Sequence, residues 1–110
     1  MKKISFTVPV EHLEKVKDAM FEAGAGKYER YDRQCWQTLG QAEFRPLEGA
    51  NPHTGQMGKL EKVKEYKVEI YCLEENVDNA VRAMLEAHPY EGPQYEVYRI
   101  ENHLTLKKSR

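Results

Sequence analysis

The chain has 110 residues, of which 40% are hydrophobic, 10% aromatic and 32% charged, with 17 basic side chains against 18 acidic ones and a formal net charge of −1. That length suits one domain around one core, residues 1–110, and the composition excludes a disordered chain. Balanced charge excludes the basic stripe that phosphate backbones require, and no apolar run approaches the roughly 20 residues that span a bilayer, so neither nucleic acid nor membrane is an expected partner.

Ile4, Phe6 and Val8 alternate with Ser5 and Thr7, the period-two pattern of a strand with one buried face, which should stop at Pro9. Pro9 suits the opening of a helix, and Leu13, Val16, Met20 and Ala23 then recur at helical spacing while Glu11, Glu14, Lys15 and Lys17 face water. Gly24 is placed to end that helix in the left-handed cap. From Tyr28 to Phe44 the pattern predicts a long second strand, with Gly40 as its weak point. Pro46, Gly49, Asn51, Pro52, Gly55 and Gly58 crowd the next stretch too densely for a helix or central strand and predict a loop projecting from the sheet.

Tyr66, Val68, Ile70 and Cys72 alternate with Lys67, Glu69 and Tyr71 in a third strand expected over 63–73. Val77, Ala80, Val81, Met84, Leu85 and His88 then give a second amphipathic helix, with Asn76 as its expected cap and Pro89 forcing its end. A fourth strand is expected over 95–101, and Leu104 and Leu106 suggest either a short further strand or a loose end. Two strand–helix–strand units closing on one sheet make an α+β, ferredoxin-like βαββαβ fold, a four-stranded antiparallel sheet with two helices on one face. Right-handed crossovers put the first and third strands at its centre. The open face should then carry Trp36, Tyr71 and Tyr98.

Gly24-Ala25-Gly26, Tyr28, Cys35, the run Phe44-Arg45-Pro46-Leu47-Glu48-Gly49-Ala50-Asn51-Pro52, Gly55, Gly58, Glu61, Val63, Glu65 and His88-Pro89-Tyr90-Glu91-Gly92-Pro93 together resemble the insert domain of the Nif-three (NGG-interacting factor) family. The resemblance runs from about Phe6 to Tyr98. It implies a domain similar to CutA and the nitrogen-regulatory PII proteins, folds that assemble into trimers and bind small ligands or metal at subunit clefts. It also places the family's two-metal site, with its paired-histidine-proline motif, in flanking domains outside this stretch. Where the family has a second acid after Tyr90-Glu91, this chain has Gly92.

For function, the first expectation is a non-catalytic, oligomeric binding or regulatory module, trimer or dimer, with a small ligand or a divalent metal ion at its clefts. The second is a metal-dependent hydrolase related to the proposed GTP cyclohydrolase type two activity, which the absent metal-bearing flanks oppose. The third is an interaction partner of a separate Nif-three core protein. Backbone amides of the loop at Gly49, Asn51, Pro52, His53, Gly55 and Gly58 can cradle a ligand, although no Gly-Lys-Ser/Thr phosphate loop is present; the alternative is a loop shaped to pack on a neighbouring subunit. Tyr90 is expected both to wedge its turn against the sheet and to contact a ligand.

His88 and Glu91 at the end of the second helix, with Cys35, are the candidate metal ligands. The turn supplies only two donors, fewer than a defined zinc site needs, so it would need help from another subunit; otherwise His88 caps the helix. Cys72 is expected in the core. With only two cysteines and no CxxC spacing, reduced thiols in a cytoplasmic setting are expected.

Overall fold

The computed structural model describes residues 1–101. Strand β1 (Lys2–Pro9) leads through a single 3₁₀ turn (Val10–His12) into helix α1 (Leu13–Glu22). Strands β2 (Trp36–Phe44) and β3 (Glu61–Cys72), helix α2 (Glu74–Ala87) and strand β4 (Tyr95–Arg99) complete the chain order. The sheet is antiparallel throughout in the order β2-β3-β1-β4, so β1 and β3 occupy the centre as expected. Leu104 and Leu106 lie outside the described residues.

Paired residues on adjacent strands point to the same side of a sheet. The pairs Ile4↔Ile70 and Phe6↔Val68 therefore put one apolar face of β1 and β3 beneath the helices. There these side chains, with Val8 and Cys72, meet Leu13, Val16 and Met20 of α1 and Val77, Ala80 and Met84 of α2. Each large apolar side chain buried in this layer contributes on the order of 1.5–3 kcal/mol, which holds both helices on the sheet. Cys72 is fully buried, and burial pushes its thiol pKa up.

Helix α1 ends in a Schellman motif: Ala25 N–H reaches Met20 O (3.0 Å) and Gly24 N–H reaches Phe21 O (3.0 Å), with Gly24 at φ 103°. The start of α2 differs from expectation. Its N-cap is Leu73, without a side-chain cap, and Asn76 sits inside the first turn, where its side chain faces Gly24. Glu74 and Glu75 supply the negative charge that the helix N-terminus favours. Leu85 is also displaced from its predicted place, 40% exposed, because it lies one residue step around the helix from Met84 and off the buried stripe.

The second strand is shorter than its pattern suggested and continuous through Gly40. Residues 27–35 instead form an irregular strap across the end of α1. Tyr28 and Tyr31 exchange backbone hydrogen bonds (2.9 and 3.0 Å), Gln34 N–H returns to Gly26 O (2.9 Å), and Glu29 and Arg33 take φ of 57° and 54°. Arg33 pairs with Asp18 and lies over the Phe21 ring at 4.7 Å, so the strap is bound to the helix rather than to the sheet. Polar alternation there mimicked a strand.

Candidate functional site

The face of the sheet opposite the helices is open, and its register sets the groove floor. Gly40 pairs with Glu65, Thr38 with Lys67, and Lys67 in turn with Thr7, so these residues share that face with Ala42 and Phe44. One wall is the 45–60 loop and the other the turn after α2, and together they bound a half-open groove of about 860 Å³. An ideal Cβ on Gly40 would meet nothing within 4 Å, so the missing side chain leaves the floor beside Glu65 clear.

Hydrogen bonds lock the two walls. Glu91 Oε2 accepts the Asn51 backbone N–H (2.7 Å), tying turn to loop. Within the loop, Gly58 N–H reaches Pro46 O (2.7 Å) and Ala50 N–H reaches Leu47 O (3.0 Å). The Tyr90 hydroxyl donates to Glu65 Oε2 (2.6 Å), holding a carboxylate that is only 5% exposed. Burial, and then the bond to Glu65, push the Tyr90 phenol well above its usual pKa, so it stays a donor.

His88 is buried and both its ring nitrogens are engaged. Nε2–H donates to Thr7 O (2.7 Å) and Nδ1 accepts the Tyr90 backbone N–H (3.2 Å), a pair of contacts that requires the neutral Nε2–H tautomer. Burial lowers its pKa, partly offset by the bond to Thr7 and by Glu65, and the neighbouring His12 and His53 push the same way as burial.

The structure thus brings some predicted site residues together and separates others. Pro52, His53, Tyr90 and Glu91 line the groove. Gly49, Asn51, Gly55 and Gly58 shape the loop around it; Gly55, at φ 103°, also lets Glu61 approach where a Cβ would stand 2.6 Å from its side chain. Cys35 lines a separate pocket of about 420 Å³ with Lys3, Trp36, Glu69 and Tyr71, so it does not join His88 and Glu91 in one ligand set. With its ring nitrogens engaged and Cys35 elsewhere, His88 acts here as a brace between turn and sheet.

Glu65, Thr7, Gly40, Glu11 and His12 carry no local signal that marks them as site residues. Glu65 and Gly40 become adjacent only through the β2–β3 register, and Glu11 reads in sequence as a solvent-facing helix residue. In space the His12 and His53 rings meet edge to face at 5.1 Å, and His53 lies 6.1 Å from the Tyr90 ring. Among the described residues, one set of three metal-competent side chains converges: Glu11, His12 and His53.

No family model matches the chain. It is 38% identical over 102 residues to a protein of Bacillus subtilis (strain 168) named GTP cyclohydrolase 1 type 2 homolog, covering 92% of this chain and 27% of that protein. A protein of the same name from Halalkalibacterium halodurans is 38% identical over 100 residues, covering 91% and 27%. The chain therefore spans about a quarter of the length of the curated relatives it matches. Among solved structures, a Bacillus cereus protein related to NIF3 superposes with a TM-score of 0.78 at 36% identity, over 92% of this chain and 26% of that one. The periplasmic divalent cation tolerance protein CutA from Archaeoglobus fulgidus shares the fold alone, with a TM-score of 0.67 at 19% identity over 94% and 88% of the two chains.

Proposed function

This chain matches about a quarter of the length of Nif-three family proteins, the GTP cyclohydrolase 1 type 2 homologues, and on that footing we propose that it is the counterpart of their insert region and a binding and assembly module, holding a small ligand on its open sheet face without turnover. The groove carries the proposal: its volume lies within the range of small-molecule sites, and its walls are held by internal hydrogen bonds before any ligand arrives.

The lining indicates the kind of ligand. Glu65, Glu69 and Glu91 line it with one lysine, Lys67, and Glu69 is further paired with Lys3 at 3.0 Å, which leaves an excess of acidic groups. Such a field repels polyanions and favours neutral or cationic molecules. The Asn51 amide, one that could receive a phosphate, is already taken by Glu91. A nucleoside triphosphate is therefore a poor fit, which argues against GTP cyclohydrolase activity residing in these residues. The reducing cytoplasm is the proposed setting, where Cys35 and Cys72 stay thiols.

Assembly is proposed from the edges of the sheet. Among the described residues β2 and β4 each have one unpaired flank, and Trp36 and Leu39 of β2 are 67% and 54% exposed. Covering them with further copies of the chain, as a trimer or dimer, removes both liabilities. A Nif-three core protein supplied as a separate chain would cover the same edges.

The test is native mass spectrometry of protein purified without chelator, with a Gly40→Leu variant. The leucine side chain would point into the groove from a strand with open space at that position, so this variant should fold normally and lose the small-molecule adduct that the parent retains. No GTP turnover is expected with or without zinc or manganese. Turnover that disappears in Glu65→Gln would overturn the proposal.

A further inference from the structure

The sequence holds four histidines, and the fold gathers three of them, His12, His53 and His88, around one end of the groove. His88 spends both ring nitrogens inside the chain. His12 and His53 do not: among the described residues their rings make aromatic contacts, and no hydrogen bond or ion pair of either ring is found. Glu11 stands beside them on the 3₁₀ turn, and the ligand atoms of Glu11, His12 and His53 all lie within 4.8 Å of one another.

We propose that Glu11, His12 and His53 form a binding site for a divalent transition-metal ion at the rim of the groove. Bonds of about 2.0–2.2 Å around a tetrahedral ion set donor atoms about 3.3–3.6 Å apart, so the three side chains need to close by at most about 1.5 Å. That adjustment is available because Glu11 and His53, both exposed, can turn about their side-chain torsions. The backbone is already in place. Glu11 and His12 are adjacent on the turn that Pro9 opens, and His53 follows Pro52 in a loop pinned two residues earlier by Asn51 and Glu91.

Two imidazoles with one carboxylate suit zinc, copper or nickel better than magnesium or calcium, which prefer all-oxygen shells. Three protein donors leave a tetrahedral ion one position open for water or for a molecule in the groove, since His53 lines both. The site uses none of the His88, Glu91 and Cys35 set suggested by sequence, and it draws on the 3₁₀ turn, whose Glu11 sequence pattern assigns to solvent.

The test titrates the full chain with Zn²⁺ by calorimetry, follows histidine ring ¹⁵N shifts, and records the Cu²⁺ paramagnetic resonance spectrum, all without any groove ligand. Failure of the groove proposal and failure of the metal site are thereby separable. One ion per chain is expected, with ring shifts at His12 and His53 and two-nitrogen hyperfine structure for copper. His12→Ala and His53→Ala should each weaken zinc at least about tenfold, since loss of even an outer-shell partner costs roughly 10–100-fold. Unchanged melting of each variant in chelator is the folding control. Affinity that survives both substitutions, or that is lost only on His103→Ala, would overturn the site.

Discussion

Tyr90 joins a buried carboxylate to the turn after α2, and its hydroxyl is the donor found on Glu65. Removing that donor while keeping the ring isolates the hydrogen bond from the packing. Tyr90→Phe should lower stability by about 1–3 kcal/mol, the usual cost of stranding a buried acceptor, as measured by urea unfolding. Glu65→Gln in the same background should return part of the loss, because a neutral amide is cheaper to leave buried. His88 gives the pH counterpart. Its folded pKa lies below the unfolded value of about 6.5, so the unfolded chain takes up the proton first as pH falls. Stability contributed by neutral His88 is complete above that value, declines as pH drops below it, and levels off once the folded residue protonates. Glu65, His12 and His53 all act on this group, so the comparison is with His88→Gln, whose stability profile should be flatter between about pH 7 and 5.

At the scale of elements, the close approach of the two helices depends on Gly24. Its positive φ ends α1, and an added Cβ would stand 2.8 Å from the Asn76 side chain at the start of α2. Gly24→Ala thus carries both backbone strain and a steric conflict, and should cost about 1–2 kcal/mol or more in chemical unfolding. Gly58 offers the control, with φ 81° and no atom within 4 Å of an added Cβ, so Gly58→Ala should carry the backbone cost alone and be the milder change. Asn76→Ala should relieve part of the Gly24→Ala penalty. No relief would mean that the conformation, and not the contact, sets the cost. No helix among the described residues is long and apolar enough to cross a membrane.

For the whole molecule, the open face decides behaviour in solution. Tyr71 and Tyr98 flank Lys3 across three strands, with Lys3 Nζ 5.4 Å from the Tyr98 ring centroid and 3.0 Å from Glu69, and Trp36 pairs with Glu69 on the same side. The three aromatics are 43–67% exposed, and among the described residues β2 presents an unpaired edge beside them. Such a surface favours burial against another subunit. Sedimentation velocity at micromolar concentration should show an oligomer, with Trp36 emission shifting to the red on dilution as the ring meets water. A monomer that persists with constant Trp36 emission across that range would sink self-association.

The amino-acid order by itself determined the elements with one clear period. The alternation in β1 and β3, the apolar stripes of both helices, the glycine stop after α1 and the crowded turn formers of the loop were all legible, and together they specified four strands, two helices and the strand order. Those signals are local, because each depends on residues a few positions apart in the chain. The strap at 27–35 misled because its hold on α1, through Arg33 with Asp18 and Phe21, is a contact between segments that no periodicity records. The groove belongs to the same class. Tertiary structure alone set Gly40 against Glu65, Asn51 against Glu91, and Glu11 and His12 against His53, partners far apart along the chain. Pairings of that range come from strand register and loop closure, which the long-range packing of the whole chain decides.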